Sequence, residues 1–246
     1  MANLRLFPNV RRVEKLLRGK YKLSRLGNKA NPLDELAYVL LSEGTGESKH
    51  QAVFDAFKER FPRWSDVPDA SLADLASCIS VGAGARQKSR YLRALTRKLR
   101  RDHGRVSLAA LDDMTTEQAE AYLCSLPGVG RRAARCVLMY ALDRPVFPAD
   151  IHCLRIMSRL GWIDCRGISP RQIVENVQHG DRVASYIADM AQAGVPSELR
   201  HPLHICLVQH GQTICRLRPT CDACVLNKLC PRIGVTEQED APPASA

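Results

Sequence analysis

Apolar residues in this chain recur at helical spacing, and the alternation that marks half-buried strands is nearly absent. After Asn31-Pro32 come Leu33, Leu36, Ala37, Val39, Leu40 and Leu41, and the run ends at Gly44-Thr45-Gly46. Pro32 suits a helix start, where its missing N–H costs nothing. Val53, Phe54, Phe57 and Phe61 predict a second helix within 49–61, which Pro62 stops. Leu72, Leu75 and Ala76 mark a short segment within 71–79. Tyr91, Leu92, Leu95 and Leu99 mark an amphipathic helix with a basic outer face. Residues 116–126 and 151–160 read as helices too. The pattern predicts an all-α protein of about ten helices joined by short loops.

The chain of 246 residues is long enough for one or two domains. Its 36 Lys and Arg exceed its 26 Asp and Glu, for a formal charge of +10. Such an excess points to a polyanion, nucleic acid ahead of an acidic membrane surface. The charge is clustered. Residues 1–30 hold nine basic residues against Glu14, and residues 86–105 hold nine against Asp102, Arg86 and Lys88 among them. Two nearly unopposed blocks suit a phosphate-tracking surface. Residues 1–8 carry Arg5 and no apolar run, so no signal peptide is expected. No stretch approaches the ~18 apolar residues that span a bilayer. The expected location is cytoplasmic, or nucleoid-associated in a bacterium, with thiols reduced. Residues 231–246, acidic and proline-bearing, are expected to be a disordered tail.

Two motifs carry chemistry. In Leu126-Pro127-Gly128-Val129-Gly130-Arg131-Arg132-Ala133-Ala134 a helix ends, two glycines turn the chain, and a second helix begins. Glycine permits positive φ and close approach of a ligand to the backbone. The new helix start offers unpaired N–H groups and partial positive charge to a phosphate. Arg131 and Arg132, with Arg135 behind them, add charge. This is a helix-hairpin-helix, which positions a backbone without reading sequence; an ordinary helix–helix turn is the competing reading.

The second motif is Cys215-x5-Cys221-x2-Cys224-x5-Cys230, followed by Pro231. Four thiolates within 16 residues can close on one centre. A zinc site usually pairs two short knuckles. Here only Cys221 and Cys224 make one, with an outrider on each side. That layout suits a [4Fe-4S] cluster better, with zinc as the alternative. Arg216, Arg218 and Lys228 ride on the loop, so the cluster can brace a basic surface. The other six cysteines, Cys78, Cys124, Cys136, Cys153, Cys165 and Cys206, are isolated, and most are expected to be buried.

The hairpin, then Phe147-Pro148-Ala149-Asp150-Ile151-His152, then His210-Gly211 leading into the four cysteines, resembles the helix-hairpin-helix (HhH-GPD) DNA glycosylases, most closely their endonuclease III branch. The resemblance covers about residues 32–230. It implies two helical domains flanking a DNA-binding groove. The central domain, 31–135, bears the hairpin around 120–135. The region 136–230 ends in the cluster loop and packs with the basic segment 1–30. It implies a monomer that acts on double-stranded DNA, flipping and excising a damaged or mispaired base. Asp150 matches the catalytic aspartate, whose carboxylate stabilises an oxocarbenium-like sugar; the plain alternative is an N-cap. DNA contacts are expected from Gly128, Val129, Gly130, Arg131, Arg132, Arg86, Lys88 and Gly44.

The departures from the family pattern bear on chemistry. Where bifunctional members carry a lysine that attacks the sugar, this chain has Arg132, and a guanidinium is a poor nucleophile. Abasic-site lyase activity is therefore in doubt unless another lysine, such as Lys88, takes over. Gly44 stands where the family has a glutamine that fills the gap left by the flipped base. Glu43 beside it is a candidate acid or a plain helix-end carboxylate. The acid of the adenine glycosylases has no match in Tyr38, Val39 or Leu40. Val81-Gly82-Ala83-Gly84-Ala85-Arg86 resembles the loop that wedges into the opposite strand but lacks bulky residues. The first cysteine spacing is one shorter than usual. Two readings follow: a base-excision glycosylase with altered range, or a non-catalytic DNA-binding descendant that recognises damage or structure.

Overall fold

The structure is a computed structural model and describes residues 6–165, 167–169, 172 and 182–235. The expected disordered tail lies outside the described residues from 236 onward. Residues 231–235 are described, and the Ile233 N–H donates to Arg159 O at 3.2 Å.

Among the described residues there are ten α-helices, several short 3-10 turns and no strand, as the all-α reading requires. The helices are α1 (Val10–Arg18), α2 (Pro32–Ser42), α3 (His50–Arg60), α4 (Leu72–Cys78), α5 (Ala85–His103), α6 (Thr116–Cys124), α7 (Arg131–Tyr140), α8 (Ile151–Arg159), α9 (Arg182–Ala193) and α10 (Ser197–Thr213). None is long and apolar enough to cross a membrane. The chain divides into two compact units: Gly27–Arg144, and Met1–Leu26 with Pro145–Ala246.

The unit Gly27–Arg144 is built around α2. Asn31 caps it, its Oδ1 accepting from the N–H groups of Leu33 (3.0 Å) and Asp34 (3.1 Å), with Pro32 in the first turn. Leu33, Leu36 and Val39 to Leu41 are all buried, because α2 packs against α3 and α7. A leucine buried in this way contributes about 1.5–3 kcal/mol. A helix apolar nearly all round belongs at a core centre. Thr115 and Gln118 form a reciprocal capping box that starts α6. The unit runs past the boundary at 135 expected from sequence. All of α7 packs here, against α2 and α6, and Arg144 donates to Met114 O (2.8 Å) and Leu111 O (3.0 Å).

In the other unit α1 packs on α10, and α10 on α8. The N-terminal segment is fastened by aromatic contact. Phe7 stacks on Trp162 with ring centroids 5.0 Å apart, and its N–H donates to Gly194 O at 2.9 Å. A Cβ on Gly194 would meet the Phe7 ring at 2.4 Å, so only glycine allows this approach. Val10, Val13 and Leu17 of α1 join Leu154, Met157, Leu203 and Leu207 in one core.

Candidate functional site

The hairpin is set by one glycine. Gly128 has φ +79°, and a Cβ there would lie 2.4 Å from Tyr91 Cγ. Conformation and space therefore both require glycine. The turn closes with Val129 N–H donating to Leu126 O at 3.1 Å. Gly130 caps α7 and brings no side chain, so the positive end of that helix carries no carboxylate or hydroxyl of its own. The arginines behind it are engaged. Arg131 and Arg135 both reach Glu120 at 3.2 Å, and Arg135 is buried.

Arg132 pairs with Glu43 across 2.8 Å, joining the start of α7 to the end of α2. Glu43 is thus neither a plain exposed carboxylate nor an isolated acid. Lys88 sits differently from the sequence expectation of a DNA contact. It is buried, and Nζ donates to Leu41 O (2.7 Å), Glu43 O (2.7 Å) and Thr45 Oγ1 (3.2 Å). Three acceptors use all three ammonium hydrogens. Burial lowers the Lys88 pKa, and Glu43 opposes that shift. The reason for its placement is the end of α2, whose last carbonyls lack intrahelical donors. Thr45 Oγ1 also accepts from the Ala83 N–H at 3.2 Å, tying the Gly44 turn to the 81–86 loop. Gly44 itself has φ +64°. Val81 is 59% exposed at that loop, the apolar tip it presents.

The basic block on α5 is less unopposed than its sequence suggests, because acids from elsewhere meet it. Arg100 holds Asp69 through two bonds of 2.7 and 2.9 Å. Arg97 donates to Pro68 O at 2.7 Å, and Lys98 pairs with Asp102 at 2.7 Å. Arg86 and Arg90 remain exposed, with no ion-pair partner among the described residues. On α1, Arg11 pairs with Glu198 at 2.6 Å.

Asp150 lies in the other unit as the N-cap of α8. Its Oδ1 accepts the Cys153 N–H at 2.8 Å. Burial alone would raise its pKa. The charges of His204 and then His152, with the bonds from Cys153, outweigh burial and hold it below the ordinary carboxylate value. The same helix grips the cysteine loop. Arg155 donates to Cys215 O (2.9 Å) and Gly211 O (2.9 Å); Arg159 donates to Cys215 Sγ (3.3 Å), Arg216 O (2.6 Å) and Leu217 O (2.9 Å). Two arginines four apart on an otherwise apolar helix face were the available sequence signal for this clamp.

Cys215, Cys221, Cys224 and Cys230 line one cavity, open to solvent, together with Arg159 and Asn227. Burial, and secondarily the neighbouring cysteines, raises the Cys224 and Cys230 thiols. Four thiols around one cavity offer the donor set of a multi-iron cluster, each thiolate on its own iron, and equally that of a four-thiolate zinc site. Behind them Tyr21 Oη contacts His210 Nδ1 at 2.8 Å, and His210 Nε2 contacts Cys224 Sγ at 3.3 Å. Burial, then the Lys20 charge, pushes His210 down to about 4, so its ring is neutral. Of the six isolated cysteines, Cys136, Cys153, Cys165 and Cys206 are buried; Cys78 is half-buried and Cys124 exposed.

A family model described as "HhH-GPD superfamily base excision DNA repair protein" matches residues 38–180. The chain is 30% identical over 210 residues to a protein of Arabidopsis thaliana named as a candidate DNA glycosylase, covering 85% of this chain and 64% of that one. It is 26% identical over 220 residues to endonuclease III of Thermotoga maritima, covering 89% and 92%. It spans just under two thirds of the Arabidopsis protein and about a tenth of longer plant relatives. In fold it is similar to an endonuclease III solved in a non-covalent complex with DNA, with TM-score 0.73, 21% identity, and 91% and 94% of the two chains covered.

Proposed function

Because this chain belongs to the HhH-GPD superfamily of base excision DNA repair proteins, we propose that it is a DNA N-glycosylase that uses water, not a lysine amine, and leaves an abasic site. The observation that carries this reading is the state of its two candidate nucleophiles. Arg132 is a guanidinium paired with Glu43, and the Lys88 amine is spent on the end of α2. Neither offers the free amine that a Schiff base needs.

The chemistry falls to Asp150. Once a base is flipped out, the C1′–N bond breaks with its electron pair going to the base, which takes up a proton. The sugar carries the positive charge. An ionised carboxylate set at the cap of α8 stabilises that charge, and water adds to C1′ and gives up a proton. The products are a free base and an intact strand with an abasic site. The partner is duplex DNA with a damaged or mispaired base. Its backbone is held by the Gly128–Gly130 turn and by Arg86, with Arg131 and Arg132 placed beside it. Val81 is the apolar tip available for the opposite strand, and Gly44 leaves room where a larger side chain would fill the helix.

Cys215, Cys221, Cys224 and Cys230 are the residues that would hold a [4Fe-4S] cluster. When bound, the cluster ties four points of the loop together and can exchange an electron. The chain's own part is mechanical: Arg155 and Arg159 fasten the first cysteine to the helix that Asp150 caps. Iron and acid-labile sulfide in equal amounts in anaerobically purified protein support the cluster; a colourless, zinc-loaded protein overturns it.

A panel of lesion- and mismatch-bearing duplexes tests the activity. Base release that disappears in Asp150→Asn supports the glycosylase. Tight binding with no release on any duplex would establish instead the non-catalytic, damage-recognising alternative.

A further inference from the structure

Asp150 shares its surroundings with a buried histidine 54 positions along the chain. Cys153 joins the two. Its N–H donates to Asp150 Oδ1 at 2.8 Å, and its Sγ lies 3.5 Å from His204 Nδ1. His204 is 4% exposed on α10, between the core residues Leu203 and Leu207. Its ring meets Phe147 edge-on at 5.7 Å and 88°. Phe147 is fully buried, its N–H donates to Gln192 Oε1 at 2.9 Å, and the strip that follows it leads straight into Asp150. The imidazole is therefore held from two sides by the elements that set the aspartate. Burying an imidazole among leucines is costly unless it meets polar or charged partners, and nothing in a purely apolar contact calls for histidine here.

We propose that His204 is the positioning residue for Asp150: seated against Cys153 and Phe147, it fixes the start of α8, from which the carboxylate is presented to the sugar as positive charge builds there. Among the described residues, the charged and titratable groups acting on Asp150 are His152 and Arg155 on its own helix, and His204 on α10. Of the two imidazoles, His204 has the larger influence. His152 is otherwise occupied. Its Nδ1 lies 3.2 Å from Arg155 Nη2, which can only donate, so that nitrogen accepts. Its ring also packs on Gly211, where a Cβ would meet His152 Cβ at 2.7 Å. His152 is thereby held by Arg155 and Gly211, and of the two imidazoles it has the smaller influence on Asp150.

The inference rests on the reading of Asp150 as the catalytic carboxylate, and the test separates the two. In His204→Asn and His204→Gln, base release is expected to fall by about 100-fold in kcat, with KM for the duplex little changed. The acid limb of the pH–rate profile moves to higher pH, because the influence of His204 that lowers the Asp150 pKa is lost. Cys153→Ala, which keeps the backbone N–H bond but loses the sulfur contact, shows a smaller shift in the same direction. An NMR titration of the Asp150 carboxyl carbon in wild type and variants needs no substrate, and its midpoint is expected to rise in the variants. A folded His204→Asn or His204→Gln with unchanged midpoint overturns the proposal, even if Asp150→Asn abolishes base release. Base release that survives Asp150→Asn overturns instead the catalytic reading on which it rests.

Discussion

Gly128→Ala is the sharpest local perturbation of the hairpin, and its cost follows from two separate terms. At φ +79° an L-residue sits in the left-handed region, which costs about 1–2 kcal/mol. The added methyl would lie 2.4, 2.5 and 2.8 Å from Cγ, Cδ2 and Cδ1 of Tyr91. Such contacts force the ring or the turn to move, at about 1–3 kcal/mol. The sum, about 2–5 kcal/mol, should lower the melting temperature of the unit that holds the hairpin by about 8–20 °C. Thermal unfolding followed by circular dichroism reads it. The two terms separate in a double-mutant cycle. Tyr91→Ala removes the clash but not the φ cost, so Gly128→Ala should cost only about 1–2 kcal/mol in that background. Duplex affinity should fall in the single variant with the salt slope little changed, because the turn lends backbone N–H groups and no side-chain charge. A Gly128→Ala protein with wild-type melting temperature and affinity would refute the reasoning. So would equal costs in the two backgrounds.

Lys88→Met should destabilise the protein by about 2 kcal/mol, measured by urea unfolding, because two carbonyls at the end of α2 lose a charged donor; an unchanged midpoint would show that the cap contributes nothing. In Arg132→Lys the new amine faces Glu43, which favours its charged form, so covalent trapping on abasic DNA should be weak and should rise when Glu43→Gln is added. Equal trapping in the single and double variants would exclude Glu43 from that role. Asp150 also predicts an acid limit to stability. Its folded pKa lies below the unfolded value, so its contribution is fully present above about pH 4 and is lost as pH falls toward the folded value. Asp150→Asn should flatten that part of the stability–pH curve, and a curve of unchanged slope would contradict the shift.

What could be read in the sequence was what local periodicity and short motifs encode. The 3.6-residue spacing located α2 and α3 to within a residue or two, and the turn at Gly128 is visible because two glycines follow Pro127. The cysteine spacing suggested four thiols closing on one centre, and in the structure all four line one cavity. What stayed hidden depends on partners far apart in the chain. Lys88 reads as one more cation on a basic helix, and only the fold brings the carbonyls of Leu41 and Glu43 to its amine. Arg100 reads as unopposed until Asp69 arrives from a 3-10 turn. The Arg132–Glu43 pair spans 89 positions, and His204 meets Cys153 across 51. Charge pairing of this kind has no period to detect. The end of the first unit was misplaced for a related reason: α7 carries the hairpin at its start but spends its whole length packing on α2 and α6.

The most direct test of the chemistry is borohydride trapping on a duplex that the protein excises, run beside parallel samples with and without alkali. A water-using enzyme should release the base, leave the strand intact until alkali cuts it at the abasic site, and give no covalent protein–DNA adduct. Strand cleavage without alkali, together with a trapped adduct, would show that a lysine amine attacks the sugar after all and would contradict the roles assigned to Arg132 and Lys88.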